Sequence, residues 1–208
     1  NKISMGIISS LLGVIALLII FYFLVFKRNP PIHIDEGIIS PTHGKIVNIT
    51  KSTKKAEIPK GMLGKVHTLT KDVAKECYII SIMMTPLDVH FQYAPIKGKV
   101  TSIQYQKGTF TNAVSANTLA ILKNENNQIL IEGKTKAKVI QIAGVLARRI
   151  HCYVKKNIHI HKGDKIGFID IGSQVTLIIP TTHKLQVHIG QKVRGGDQIA
   201  TQREIKIV

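Results

Sequence analysis

The chain has 208 residues, 44% of them hydrophobic and 20% charged, which suits one domain of ordinary size or two very small ones. Its formal charge of +17 comes from 29 Lys and Arg against 12 acidic residues, and such an excess attracts polyanions, either nucleic acid or an anionic lipid surface. Nucleic acid is not expected as a partner: the chain has no Trp, only 5% aromatic residues, and no groove-reading or single-strand-binding motif.

In chain order, the first feature is the uncharged run 5–26, rich in Ile, Leu, Val and Phe. As a helix it would be about 33 Å long, enough to cross a ~30 Å hydrocarbon core. It ends in Phe23-Leu24-Val25-Phe26-Lys27-Arg28 without a small-residue cleavage site, so it reads as a retained anchor over 1–28 rather than a signal peptide. Only Lys2 precedes it, whereas Lys27 and Arg28 close it; this asymmetry predicts a cytoplasmic domain on a single-pass span. With the domain held at a bilayer, anionic phospholipid becomes the expected partner of its basic surface.

Asn29-Pro30-Pro31 cannot continue the helix. Beyond it, short Ile- and Val-rich runs separated by Gly, Pro, Asn and Asp predict strands at 45–49, 78–84, 99–105, 129–132, 138–142, 165–171, 175–179, 185–189 and 198–201. The polar stretch 51–71 reads as a loop near the membrane surface, and 144–153 as a short helix. Cys77 and Cys152 lack CxxC spacing and read as reduced, structural thiols.

An internal repeat organises these strands. Pro41-Thr42-His43-Gly44-Lys45-Ile46-Val47-Asn48-Ile49 and Pro95-Ile96-Lys97-Gly98-Lys99-Val100-Thr101-Ser102-Ile103 share P-x-x-G-K-[IV]-x-x-I. Gly163-Asp164-Lys165-Ile166 and Gly190-Gln191-Lys192-Val193 share G-x-K-[IV]. A turn glycine before a β-branched strand, recurring four times, predicts a mainly β fold: a compact sandwich or half-barrel of biotinyl/lipoyl-like hairpin repeats, preceded by a transmembrane helix.

Two segments could carry chemistry on residue type alone. His159-Ile160-His161 has metal-ligand spacing on one strand face. A LytM-type zinc endopeptidase, however, places its HxH after the glycine-rich run and adds a His-x₃-Asp, whereas Val47 stands four residues after His43; no metal is expected. Gly172-Ser173 interrupts two strand-like runs, and the glycine exposes its carbonyl to the following hydroxyl. Taken alone, that dipeptide reads as a β-bulge with an incidental serine. A membrane-anchored lipoyl-like adaptor without catalysis would explain the anchor and the repeats equally well, but not this segment.

The surroundings of Gly172-Ser173 change that balance. Ile171-Gly172-Ser173-Gln174-Val175 and the following Pro180 resemble the processing site of phosphatidylserine decarboxylases. So do Lys27-Arg28-Asn29-Pro30, Ser40-Pro41-Thr42-His43-Gly44-Lys45, Thr85-Pro86-Leu87-Asp88-Val89-His90 with Ala94-Pro95, Gly108-Thr109-Phe110-Thr111-Asn112-Ala113, Asn124-Glu125, and Gln141-Ile142-Ala143-Gly144-Val145-Leu146-Ala147-Arg148-Arg149-Ile150, all in the family's order. The likeness covers nearly the whole chain and is strongest to the short bacterial and archaeal form.

The resemblance implies a decarboxylase domain over 29–208 that cuts itself into 1–172 and 173–208. Ser173 Oγ would attack the Gly172 carbonyl, and elimination and hydrolysis would leave a pyruvoyl cofactor derived from Ser173. A Schiff base between that group and the substrate amine would convert phosphatidylserine to phosphatidylethanolamine. The implied proton donor is His90, with Asp88 an orienting carboxylate or a turn residue. Arg148 and Arg149 are candidates for phosphate or carboxylate contact, with at most one facing a given site if the stretch is helical, the alternative being a solvated pair. The family pattern has Asp where His43 stands, so His43 is expected to serve as the base for self-cleavage; Tyr93 replaces a histidine of longer relatives. The resemblance further implies an inner-membrane location, continued association of the two cleavage chains, and a homodimer.

Overall fold

The computed structural model describes residues 2–52, 69–108, 124–144, 149–170 and 173–203. An α-helix, α1 (Lys2–Phe21), passes into a π-helical turn (Tyr22–Phe26), closed by the Lys27 N–H donating to the Tyr22 carbonyl at 3.3 Å. Residues 6–24 form a stretch long and apolar enough to span a membrane, and none of it is buried against the rest of the chain.

Fourteen strands follow among the described residues: β1 (Ile38–Ile39), β2 (Gly44–Ser52), β3 (Cys77–Met83), β4 (Phe91–Tyr93), β5 (Gly98–Gln106), β6 (Asn126–Glu132), β7 (Lys136–Ile142), β8 (Ile150–Cys152), β9 (His159–Ile160), β10 (Lys165–Ile169), β11 (Gln174–Pro180), β12 (His183–Leu185), β13 (Lys192–Val193) and β14 (Gln198–Gln202). Eight form one curled half-barrel sheet in the order β13-β2-β3-β11-β7-β6-β5-β9, and two three-stranded sheets, β1-β14-β12 and β4-β10-β8, complete the fold. The central strands bury both faces, so they read in sequence as continuous apolar runs. Val175, Leu177 and Ile179 of β11 join Ile80 and Ile82 of β3 in the inner core, while Ile178, Ile79, Ile140 and Leu130 meet Leu69 and Val73 outside. Each such side chain contributes roughly 1.5–3 kcal/mol on burial. The outer layer is pinned by Lys138, whose Nζ donates to the Leu69 carbonyl at 2.7 Å and lies 2.6 Å from Asp72 Oδ1.

The repeat seen in sequence is the outward sign of a duplication. Reading the large sheet inward from either end gives corresponding strands: β13 with β9, β2 with β5, β3 with β6, β11 with β7. In the small sheets β1, β14 and β12 correspond to β4, β10 and β8. The registers agree in detail. The β2–β3 ladder slips between Ile46 and Asn48, and the β5–β6 ladder between Val100 and Ser102. Gly190 N–H donates to the Ile46 carbonyl at 2.8 Å, and Asn157 N–H to Val100 at 2.7 Å. Lobe two (β4–β10) is continuous in sequence. It is inserted into lobe one (β1–β3 with β11–β14), at the place where its own β6 and β7 are joined by the 133–135 turn.

Two sequence expectations need correction. The helix expected over 144–153 is not formed in its described part: Arg149 is irregular and Ile150–Cys152 is strand β8, because the edge of β10 offers Ile169, Phe168 and Gly167 as ladder partners. The strand expected at 185–189 is instead β12 (His183–Leu185), since 188–191 folds into a turn that seats Gly190 against β2. Of the polar stretch 51–71, residues 53–68 lie outside the described residues, as do 109–113, Arg148 and Gly172 of the motifs above.

Candidate functional site

Where lobe two enters and leaves lobe one, two chain segments run antiparallel. In lobe two the β6–β7 turn is closed by Gly133 N–H donating to the Thr135 carbonyl at 2.9 Å. The corresponding bond in lobe one joins Met84 N–H to the Ser173 carbonyl at 3.0 Å. The far end of the same junction is closed by Ile169 N–H donating to the His90 carbonyl at 3.2 Å. The topology therefore brings Ser173 and His90, far apart in sequence, onto facing segments at one end of the core.

Ser173 stands at the head of β11 and is 2% exposed; its Oγ has no hydrogen-bond partner among the described residues. A buried hydroxyl without a partner costs free energy unless the site uses it. His90 is fully buried with its ring 6.3 Å from Phe168. Its pKa is lowered, chiefly by burial, against an opposing backbone hydrogen bond at Asp88 and the carboxylates of Asp88 and Asp170. A neutral imidazole in a dry site can accept a proton and return it.

Asp88 acts as a turn residue: its Oδ2 accepts both the Thr85 N–H and the Thr85 hydroxyl at 2.7 Å, and its own N–H donates to the Thr85 carbonyl at 3.0 Å. The Arg28 guanidinium donates to the Leu87 carbonyl. That contact ties the segment after the apolar N-terminal helix to the turn leading into His90, beside which Leu87 is exposed.

His43 precedes β2 at the same end of the sheet. Its Nδ1 accepts the Gly195 N–H at 3.2 Å, and its ring lies 6.2 Å from that of Tyr93. A side chain at Gly195 would meet the Tyr93 ring at 2.6 Å, so the glycine makes this approach possible. Burial lowers the His43 pKa, opposed by Asp88 and Asp197 and reinforced by Arg28 and Arg194. With Nδ1 accepting, the neutral ring carries its proton on Nε2. Strand β3 stands between β2 and β11, and among the described residues no hydrogen bond joins His43 to Ser173. Tyr93 is 2% exposed, and burial raises its pKa to about 12.

Arg149 is exposed, and its carbonyl accepts the Asp170 N–H at 3.2 Å, near the β10 end of the junction. His159 and His161 are both exposed, His161 Nδ1 lying 3.7 Å from Asp164 Oδ2. Among the described residues, no three His, Cys, Asp or Glu are grouped to hold a metal. Cys77 is buried with its thiol raised to about 11 by burial, and Cys152 is exposed.

Residue type did not single out Arg28, Gln92 or Gln141 as site residues. Arg28 and Gln141 lie in motifs quoted above without a role attached to them; Gln92 between Phe91 and Tyr93, and Gln141 between Ile140 and Ile142, also show polarity out of place.

Comparison with known proteins gives the family. The family model for phosphatidylserine decarboxylase matches residues 19–201. The phosphatidylserine decarboxylase proenzyme of Desulfotalea psychrophila is 36% identical over 197 residues, covering 92% of this chain and 84% of its own. That of Prosthecochloris aestuarii is 31% identical over 193 residues, covering 90% and 80%. A Methanocaldococcus jannaschii relative named as an archaetidylserine decarboxylase proenzyme is 33% identical over 186 residues, covering 87% and 89%. With a match spanning both lobes and the junction between them, the chain belongs to the phosphatidylserine decarboxylase family, whose members are decarboxylases made as proenzymes.

Proposed function

We propose that this chain is a membrane-anchored decarboxylase of serine-headed phospholipid, phosphatidylserine above all, activated by its own cleavage between Gly172 and Ser173. The observation that carries this reading is the Ser173 hydroxyl: buried, without a partner among the described residues, and set at the insertion point of lobe two. In the fold's other copy of this place an ordinary turn closes the hairpin. A nucleophile kept dry and unpaired beside a peptide bond suits intramolecular attack.

In the proposed processing, Ser173 Oγ bonds to the Gly172 carbonyl carbon while the peptide C–N bond breaks, leaving an ester and a free Ser173 amine. Loss of the Cα proton and of the Gly172 carboxylate gives dehydroalanine. Hydrolysis, consuming water and releasing ammonia, leaves a pyruvoyl group at the head of β11. Proton transfer in the first step falls to a neutral imidazole. His43 is the proposed base; its unprotonated nitrogen is Nδ1, which accepts the Gly195 N–H, so that bond gives way when Nδ1 takes the serine proton.

The residues at the head of β11 fit that group: a buried Ser173 to generate it, and His90 across the junction. Bound there, a pyruvoyl group would supply an electrophilic carbonyl for a substrate amine and an electron sink for loss of carbon dioxide. His90 is the proposed donor of the replacing proton, its burial excluding water from the same place. Arg149 and Arg148 are the proposed contacts for the phosphate or carboxylate. The Arg28 contact with the turn before His90 holds the exit of the apolar helix beside the proposed proton donor, which supports a substrate drawn from the membrane. The charge asymmetry around the span supports a cytoplasmic domain.

The test is intact mass under denaturing conditions. The expected result is two fragments, 1–172 and 173–208, the second beginning with a pyruvoyl group, and a single uncut chain for Ser173→Ala. One chain with unmodified Ser173 in the unmutated protein overturns the reading.

A further inference from the structure

Inside the half-barrel three amide side chains are joined head to tail. Asn127 Nδ2 donates to Gln141 Oε1 at 2.8 Å, Gln141 Nε2 to Gln92 Oε1 at 2.8 Å, and Gln92 Nε2 to the His90 carbonyl at 2.7 Å. Gln141 Nε2 also reaches the His151 carbonyl at 3.4 Å, and Gln92 Nε2 faces Met84 Sδ at 3.9 Å. Gln92 and Gln141 are 0% exposed and Asn127 is 3%. Gly167 makes the room: a Cβ there would stand 2.4 Å from Gln141 Nε2 and 2.5 Å from the His151 carbonyl.

The duplicated lobe provides an internal control for what this chain of amides is for. By strand register, Gln92 corresponds to Ile38, Gln141 to Ile179, Asn127 to Tyr78, and Gly167 to Ala200. Ile38, Ile179 and Ala200 are buried core residues in lobe one, and Tyr78 packs against the same core. The fold is thus completed by apolar side chains at these positions, and even a Cβ at the Gly167 position is accommodated where no glutamine lies beneath. Burying three primary amides is costly unless they are bonded. They occur only in the lobe that carries His90, and their last donor ends on the His90 carbonyl. That carbonyl also accepts from Ile169, so both of its lone pairs are used and its position is held from two directions.

We propose that Asn127, Gln141 and Gln92 form a positioning relay. It fixes the His90 backbone, and Met84 opposite Ser173, in the geometry that decarboxylation uses. This rests on the role proposed above for His90. None of the three is placed against the substrate; they act through His90, where a displacement of about 1 Å can cost 10²-fold in rate.

The experiment replaces the relay with what lobe one already contains: Gln92→Ile, and Gln141→Ile combined with Gly167→Ala, beside His90→Ala. Each protein is purified in detergent, its cut fraction is measured by intact mass, and kcat is expressed per pyruvoyl group on short-chain phosphatidylserine. The relay variants are expected to unfold cooperatively but at a lower temperature than the unmutated protein, because removing one member leaves its bonded neighbours buried and unpaired; kcat per pyruvoyl group, measured on the folded protein, separates this loss from a loss of positioning. Their kcat is expected to fall about 10- to 100-fold with KM unchanged. Should Gln92→Ile not fold, Gln92→Met, of similar length and shape, carries the same test. Relay variants with undiminished kcat, or with only KM raised, overturn the relay while inactive His90→Ala leaves the role of His90 standing. An active His90→Ala overturns that role, and the relay with it.

Discussion

His43, His90 and His183 all have pKa values below the ordinary histidine range, and burial is the largest cause in each. The unfolded chain, whose histidines titrate near 6.5, therefore takes up protons before the folded chain does. Stability from these groups is fully present above about pH 6.5 and is lost as the pH falls below it toward the lowered folded values. The melting temperature is expected to drop between pH 7.5 and 5.5, and His183→Gln, distant from the junction, should make that drop shallower. A melting temperature flat across this range would contradict the burial of these neutral rings. At this scale the sequence was uneven as a guide. His90 and Ser173 were legible because each lies in a distinctive motif. Gln92 and Gln141 were not, because an amide on a strand looks like a surface residue until the packing shows both faces buried.

At the scale of elements, the duplicated turns show which glycines are needed and why. Gly190 has φ 91°, and a Cβ there would meet nothing within 4 Å. Its counterpart in lobe two is Asn157, with φ 72°, and asparagine is among the few residues that adopt this left-handed conformation readily. Gly190→Asn is therefore expected to change stability by less than about 1 kcal/mol. Gly44 is different: its φ is 152°, and a Cβ would stand 2.4 Å from the Met83 carbonyl oxygen. Gly44→Ala should cost roughly 1–3 kcal/mol, since both strain and ladder displacement follow. Urea denaturation of the two variants checks the contrast; equal midpoints would refute it. The strands over 45–49, 99–105, 138–142 and 175–179 were legible from β-branched runs. The short strands β1, β4, β8, β9 and β13 were not, because two or three residues carry no periodicity and pair only where a neighbouring edge is presented.

For the whole molecule, the important fact is that the proposed cut falls beside β11, which lies between β3 and β7 in the middle of the large sheet. Seven residue pairs join β11 to β3 and five join it to β7, and every residue of β11 is buried. Severing the chain at Gly172-Ser173 removes one covalent connection but none of those ladders. The fragments 1–172 and 173–208 are expected to co-elute in size-exclusion chromatography in mild detergent and to separate only in denaturant. Dissociation without denaturant would mean that β11 is not held as described. The same placement explains why the cut can generate a buried group: the new chain end is formed inside an intact sheet.

Much was determined by the sequence alone. Hydropathy defined the apolar span, because about twenty uncharged apolar residues have few other stable placements. Alternation and turn glycines defined a β-rich domain, and the recurring P-x-x-G-K-[IV]-x-x-I announced its repetition, since these are local patterns that short-range sterics enforce. Tertiary structure alone decided the insertion of one lobe into the other, the placing of Ser173 and His90 on the two segments of that seam, the engagement of His43 with Gly195, and the amide chain behind His90. Each depends on ladders between residues far apart in sequence, and pairing at such separations is chosen by the burial and register of the whole sheet rather than by any local preference.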